Sequence, residues 1–160
     1  MSRPGDAAPD AAIDAAMDEA LRLARKAALQ DEVPVGAVVL QAGQVIGRGH
    51  NQREGKNDPL SHAELEAIHE AAKTLKSWRL EGCTMVVTLE PCPMCLAAMQ
   101  QARIAHVFYG ADDPKGGAIS LGYRVHEDSR THHRFNVERR PRVECSSILS
   151  EFFKKKRFKA

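Results

Sequence analysis

Ser61-His62-Ala63-Glu64 and Thr88-Leu89-Glu90-Pro91-Cys92-Pro93-Met94-Cys95 decide how this chain of 160 residues is read. Together they offer one imidazole, His62, and two thiols, Cys92 and Cys95. Zinc takes that donor set in tetrahedral geometry. Three protein ligands leave the fourth position open, as catalytic sites do and structural sites do not. A water held there can ionise near pH 7 instead of ~15.7. Glu64, two residues from His62, is near enough to carry that water's protons. The cysteines sit three apart where Pro91 or Pro93 can start a helix, because proline lacks only an N–H that would be unpaired there. One helical turn puts both sulfurs on the same side, and a helix N-terminus lowers a thiol's pKa. Ser61 opens a further helix, with Ser61 and Glu64 in capping-box spacing. Taken singly, Cys-x-x-Cys also fits a structural metal pair or a redox motif, and Glu64 fits a helix cap.

Before these phrases, residues 1–9 hold Pro4, Gly5 and Pro9 without an apolar period, and read as a disordered leader. From Asp10, an N-cap residue type, Ile13, Met17, Leu21 and Ala24 recur at helical spacing as far as Gln30. Val35 to Leu40 is a short apolar strand. Gln41-Ala42-Gly43-Gln44 turns it back through Val45 and Ile46. Gly47, Gly49, Asn51 and Gly55 mark irregular backbone up to Pro59. In the helix from Ser61, Leu65, Ile68, Ala72 and Leu75 form the expected buried stripe. Thr84 to Leu89 reads as a buried strand, Ala105 to Tyr109 as another, and Phe135 to Val137 as a short fifth. Residues 111–135 read as loop. Cys145, Ile148, Leu149, Phe152 and Phe153 line a final helix. Strands alternating with helices imply a layered α/β fold, a single domain over residues 10–160.

Apolar residues make up 43% and charged residues 28%, ordinary for a globular protein. No apolar run approaches the ~20 residues of a membrane span, and the N-terminus shows no signal peptide. Four cysteines without a secretion signal, two of them in Cys-x-x-Cys near His-x-Glu, point to metal binding in a reducing cytoplasm rather than disulfides. Cys83 and Cys145 lack partners at ligand spacing and read as buried thiols. The formal net charge of +2 excludes a general polycation. The basic residues are nonetheless clustered, at Arg139, Arg140 and Arg142 and at Lys154-Lys155-Lys156-Arg157-Phe158-Lys159. A basic terminus suits a polyanionic partner or a solubilising tail. His132 and His133 beside Arg134 could face phosphate, and Asn51 could serve either the backbone or a bound base.

His-x-Glu followed by Pro-Cys-x-x-Cys is the known signature of zinc-dependent nucleobase deaminases, and at these residues the chain resembles the cytidine deaminase superfamily. Within it the chain is similar to the bacterial tRNA-specific adenosine deaminases over roughly Asp18 to Lys156. The similarity runs through Asp31 to Val38, Gly49 to Asn51, Asp58 to Glu64 and Val87 to Cys95. It continues through Ala102-Arg103-Ile104, Tyr109-Gly110-Ala111, then Asp113, Lys115 and Gly117, and Leu149 to Phe153 with the basic tail. Gln52 stands where that family usually carries Arg or Lys, and His132 where it carries Asn.

The resemblance implies a three-layer α/β/α cytidine-deaminase-like fold with a five-stranded mixed sheet, a homodimer, and one zinc per subunit held by His62, Cys92 and Cys95. It implies conversion of adenosine to inosine at the wobble position of a tRNA anticodon stem-loop, that of tRNA-Arg with anticodon ACG. Glu64 would shuttle protons. Asn51 would bond the purine, and Ala63 and Glu90 would offer backbone contacts. Val33, Pro34 and Leu89 would shape the pocket, and Asp113, Lys115, Phe153 and Lys156 would hold the anticodon nucleotides. A free-base or nucleoside deaminase of the same superfamily, acting on guanine or cytosine, is the rival enzyme. A non-catalytic zinc-stabilised RNA-binding module is a rival of another class.

Overall fold

Alternation of side chains along two buried strands sets the layering. In the computed structural model, which describes residues 7–159, β1 spans Gly36–Gln41 and β3 spans Thr84–Val87. Ala37, Val39, Met85 and Val87 fall in one core with residues of α2 (Ala63–Leu75) and α3 (Pro93–Gln101). Val38, Leu40 and Val86 fall in a second core with Ile13, Met17 and Leu21 of α1 (Asp10–Leu29) and Cys145 of α4 (Val143–Lys159). The sheet therefore has helices on both faces. Its order is β2-β1-β3-β4-β5, with β2 at Gln44–His50, β4 at His106–Tyr109 and β5 at Asn136–Arg139. β1 runs antiparallel to β2 and β3, whereas β3, β4 and β5 are parallel. This is the expected three-layer α/β/α fold with a five-stranded mixed sheet.

β1 is the most continuously buried strand, as an apolar run between two helix layers should be. Among the described residues, no helix is long and apolar enough to cross a membrane. The leader expected at residues 1–9 lies outside the described residues up to residue 6. Ala7 to Pro9 run without regular structure into α1.

Local details depart from expectation for identifiable reasons. Asp10 is the first helical residue of α1 and not its cap; Pro9 precedes it without a side-chain cap. Asp10 and Asp14 instead pair with Arg140 at 3.2 and 2.9 Å, and Asp18 pairs with Arg142. Arg139 pairs with Asp112 at 3.2 Å. Arg140 and Arg142 thus tie α1 to the β5–α4 corner, and Arg139 ties β5 to the turn after β4.

α2 begins at Ala63 with His62 as its cap residue, and no capping box forms. Ser61 Oγ donates to Glu66 at 2.6 Å, and Glu64 turns inward. The buried face of α2 is Ala63, Glu64, Ala67 and Ala71; Leu65, Ile68, Ala72 and Leu75 are only half-buried. The reason is a close backbone approach. A Cβ on Gly49 would lie 2.1 Å from the Ala63 carbonyl oxygen, and one on Gly47 would lie 2.3 Å from that of Ala67. Only small residues fit the seam, so the larger apolar side chains are left on the helix flank.

Because those neighbours are backbone atoms, they cannot rotate away. Gly49→Ala should lower the unfolding free energy by about 1–3 kcal/mol, the usual cost of overpacking, and reduce activity with it. Urea denaturation measures the change. A variant as stable as the wild type would show that α2 can shift without loss.

Candidate active site

Two helix N-termini meet at one point. Thr88 Oγ accepts the Gly36 N–H at 3.2 Å where β3 ends. The chain then turns through Leu89, Glu90 and Pro91 to Cys92, the cap residue of α3, with Pro93 in its first turn. His62 caps α2 in the same extended conformation. His62 Nδ1 lies 3.6 Å from Cys92 Sγ and 3.4 Å from Cys95 Sγ. Among the described residues these three are the one group whose donor atoms are close enough to hold a metal ion, all within 4.8 Å of one another. An imidazole and two sulfurs converging from helix N-termini fit a thiophilic divalent ion with an open coordination face. The electrostatics agree. Hydrogen bonding by Cys95, and then by His62, pulls the Cys92 thiol down to about 4. The same pairing, with burial, pushes Cys95 upward. The pairing favours a thiolate at Cys92, and a metal would take the place of the proton on Cys95. All four cysteines are free thiols; Cys83 and Cys145 are buried, each pushed up to about 11 by desolvation.

Glu64 lies beside this group and is only 4% exposed. Burial raises its carboxyl to about 7, opposed by its own backbone N–H and by His62. An acid that changes protonation near neutrality can both take and return a proton.

A cavity of about 190 Å³ opens over these residues. Val33, Asn51, Ala63, Leu89, Glu90 and Asp113 line it together with His62, Glu64 and Cys92. A larger groove of about 710 Å³ adjoins it, sharing Val33, Asn51 and Arg53 and extending to Phe152, Phe153 and Lys156. Phe153 is 47% exposed. Lys156 Nζ lies 5.6 Å from the Phe152 ring and pairs with Asp31 at 2.8 Å. Two expected residues stand apart: Pro34 is buried, and Lys115 is exposed on the loop after Asp113. Neither lines the two cavities.

The Asn51 amide does serve the backbone: Nδ2 donates to the Val33 carbonyl at 3.2 Å and Oδ1 accepts the Arg53 N–H at 3.1 Å. An amide has two donors and two acceptor sites, so one of each is left beyond these two bonds, and Asn51 lines the cavity. His133 is structural, bonded through Nε2 to the Ile104 carbonyl at 2.6 Å and stacked on Phe135. His132 is exposed beside it.

Sequence reasoning missed Arg53 as a site residue, although it lines both cavities. The signal was present as a cation one position beyond Gln52. It missed Glu32 as well, whose buried carboxyl accepts the Glu54 and Gly55 N–H groups at 2.8 and 3.0 Å and so shapes the Asn51 loop.

The model of the MafB19-like deaminases matches residues 12–157, and the chain belongs to that family of deaminases. It is 44% identical over 138 residues to the tRNA-specific adenosine deaminase of Streptococcus pyogenes serotype M1, covering 86% of this chain and 81% of that one. It is also 44% identical over 140 residues to the tRNA-specific adenosine deaminase of Bacillus subtilis strain 168, covering 87% of each chain. Among solved structures, one from a study of A-to-I editing by tRNA:A34 deaminases superposes with a TM-score of 0.78 at 42% identity, covering 87% of this chain and 99% of that one. A guanine deaminase from Bacillus subtilis superposes with a TM-score of 0.60 at 28% identity, covering 88% and 93%.

Elemental analysis of the purified protein separates ligands from shuttle. Glu64→Gln should retain one metal ion per chain, and Cys95→Ala should lose it, since removing one of three ligands leaves a pair too weak to hold the ion through purification.

Proposed function

We propose that this chain hydrolytically deaminates adenosine to inosine at the wobble position (34) of a tRNA anticodon, releasing ammonia. One observation carries the reading. The small cavity over His62, Cys92 and Glu64 continues, past Arg53, into a groove under α4 that carries Phe152, Phe153, Arg53 and Lys156 beside the acidic Asp31, Glu32 and Glu54. A deep pocket for one base joined to a groove with two phenylalanines and two cations suits a nucleotide extruded from a single-stranded loop. Its neighbours would stack on the rings and set phosphates against the cations. An anticodon loop already exposes its bases, so extrusion costs only a few kcal/mol. The relatives named above support the same reading.

His62, Cys92 and Cys95 would hold one zinc per subunit, which supplies Lewis acidity at an open position. The chain's own groups do the rest. Asn51 orients the purine through its remaining amide donor and acceptor, with the Ala63 and Glu90 backbones beside it. Val33 and Leu89 flank the ring. Glu64 takes a proton from the attacking water and delivers it to the ring nitrogen as the water oxygen bonds to C6; it then takes the second proton from that new hydroxyl and passes it to the amino group, so that the C6–N bond breaks, ammonia leaves and the C6 carbonyl of inosine remains. Asp113, Lys115, Phe153 and Lys156 hold the flanking anticodon nucleotides, with tRNA-Arg bearing anticodon ACG as the expected substrate. The chain works in the cytoplasm as a homodimer.

Incubation with an anticodon stem-loop carrying a wobble adenosine, read by mass, tests the assignment. Inosine is expected from the wild type and none from folded, metal-loaded Glu64→Ala. Ammonia from guanine with no inosine from the stem-loop would establish the rival deaminase instead. A stem-loop bound equally well by the wild type and by Glu64→Ala, with neither making inosine or releasing ammonia, would point to the non-catalytic binding module.

Arg53→Ala and Lys156→Ala should each raise KM for the stem-loop and leave kcat near the wild-type value. Each removes one cation from the phosphate-facing groove, so each should flatten the log K against log salt slope by about 0.7–1. Titrations at several salt concentrations measure this, and an unchanged slope would remove that residue from the RNA contacts.

A further inference from the structure

The Glu90 side chain does a job distinct from the backbone contact expected of it. It is 3% exposed. Its carboxyl accepts the Asp113 N–H at 3.1 Å, the Ser120 N–H at 2.8 Å and the Ser120 hydroxyl at 2.6 Å. Backbone bonds add to these: Glu90 N–H to the Ala111 carbonyl at 2.9 Å, and Ala118 N–H to the Pro91 carbonyl at 2.8 Å. The loop wraps so closely that a Cβ on Gly117 would lie 1.9 Å from Glu90 Oε2. Within the loop, Asp113 Oδ1 accepts the Gly116 N–H at 3.2 Å, and the Asp113 carbonyl accepts the Gly117 N–H at 2.8 Å. Asp113 itself lines the cavity that holds His62 and Glu64.

A carboxyl offers about four acceptor sites, and three are occupied by the loop. The same residue lies two positions before Cys92. One buried group thus joins the turn that delivers the first sulfur to the loop that carries Asp113 and Lys115. We infer that the Glu90 side chain is a positioning residue that holds Asp113 at the cavity mouth in register with the His62, Cys92 and Glu64 group, so that substrate grip depends on it. The inference rests on the RNA deaminase reading for its readout of grip.

The test is Glu90→Gln, isosteric but with an amide NH₂ facing donors where an acceptor is required. With the metal bound, KM for the wobble-adenosine stem-loop should rise about tenfold, the loss of one charge-assisted hydrogen bond, while kcat stays near the wild-type value. Asp113→Ala should raise KM similarly, and the double variant should be no worse than either single one, because both act through Asp113. A purely structural Glu90 would lower the melting temperature and leave KM unchanged, and additive effects would mean independent action; either result overturns the inference. If Glu90→Gln does not fold, Ser120→Ala removes the hydroxyl bond alone and should raise KM in the same direction; no change there also overturns it. Amide exchange at Asp113 and Ser120 reads the tether without substrate and should quicken in Glu90→Gln or in Ser120→Ala. A wild type that makes no inosine would sink the substrate reading, and exchange would still decide the tether, unchanged exchange overturning it.

Discussion

The seam between α2 and β2 is where backbone meets backbone. Ala63 and Ala67 present carbonyl oxygens to a strand that has no Cβ at Gly47 and Gly49. That closeness sets the depth at which α2 sits on the sheet. His62 and Glu64 are the residues at its N-terminal end, so the seam also sets where the imidazole and the buried carboxyl arrive. The other half of the site arrives from β3, whose end is pinned to β1 by the Thr88–Gly36 bond before the turn to Cys92. Interiors are close-packed and do not deform smoothly, so a shift at the seam would move one half of the donor set against the other.

At that meeting point hydrogen bonds from Cys95 and His62 draw the Cys92 thiol down, while burial does the opposite for Glu64. One thiol is drawn down to about 4 and the carboxyl is pushed up to about 7 by the same few ångströms of structure. A donor set that favours a cation therefore sits beside a group that exchanges a proton near neutrality, which is the pairing hydrolytic deamination requires.

Charge is distributed by function more than by composition. Arg139, Arg140 and Arg142 look like a polyanion site in the sequence, but acidic residues of α1 and the β4–β5 side occupy them. Lys156 is also paired, to Asp31, yet it lies on the groove with Arg53, Phe152 and Phe153. The groove is mixed in character: the cations frame aromatic rings, and Glu32 beneath shapes the loop that presents Asn51 and Arg53.

The convergence of His62, Cys92 and Cys95, the place of Glu64 beside them and the layered α/β fold were legible in the sequence, because His-x-Glu and Cys-x-x-Cys place side chains by local helix geometry and β1 declares itself as an uninterrupted apolar run. The α2 stripe was not legible. Periodicity weights large apolar side chains, whereas the glycines of β2 admit only alanine at the seam, a pairing between segments that no single window contains. The Glu90 tether and the membership of Arg53 in both cavities were likewise decided only by tertiary structure, since each depends on loops distant in sequence closing around one turn. The chemistry of the site was thus written in local spacing, and the walls that select what enters it came from long-range packing.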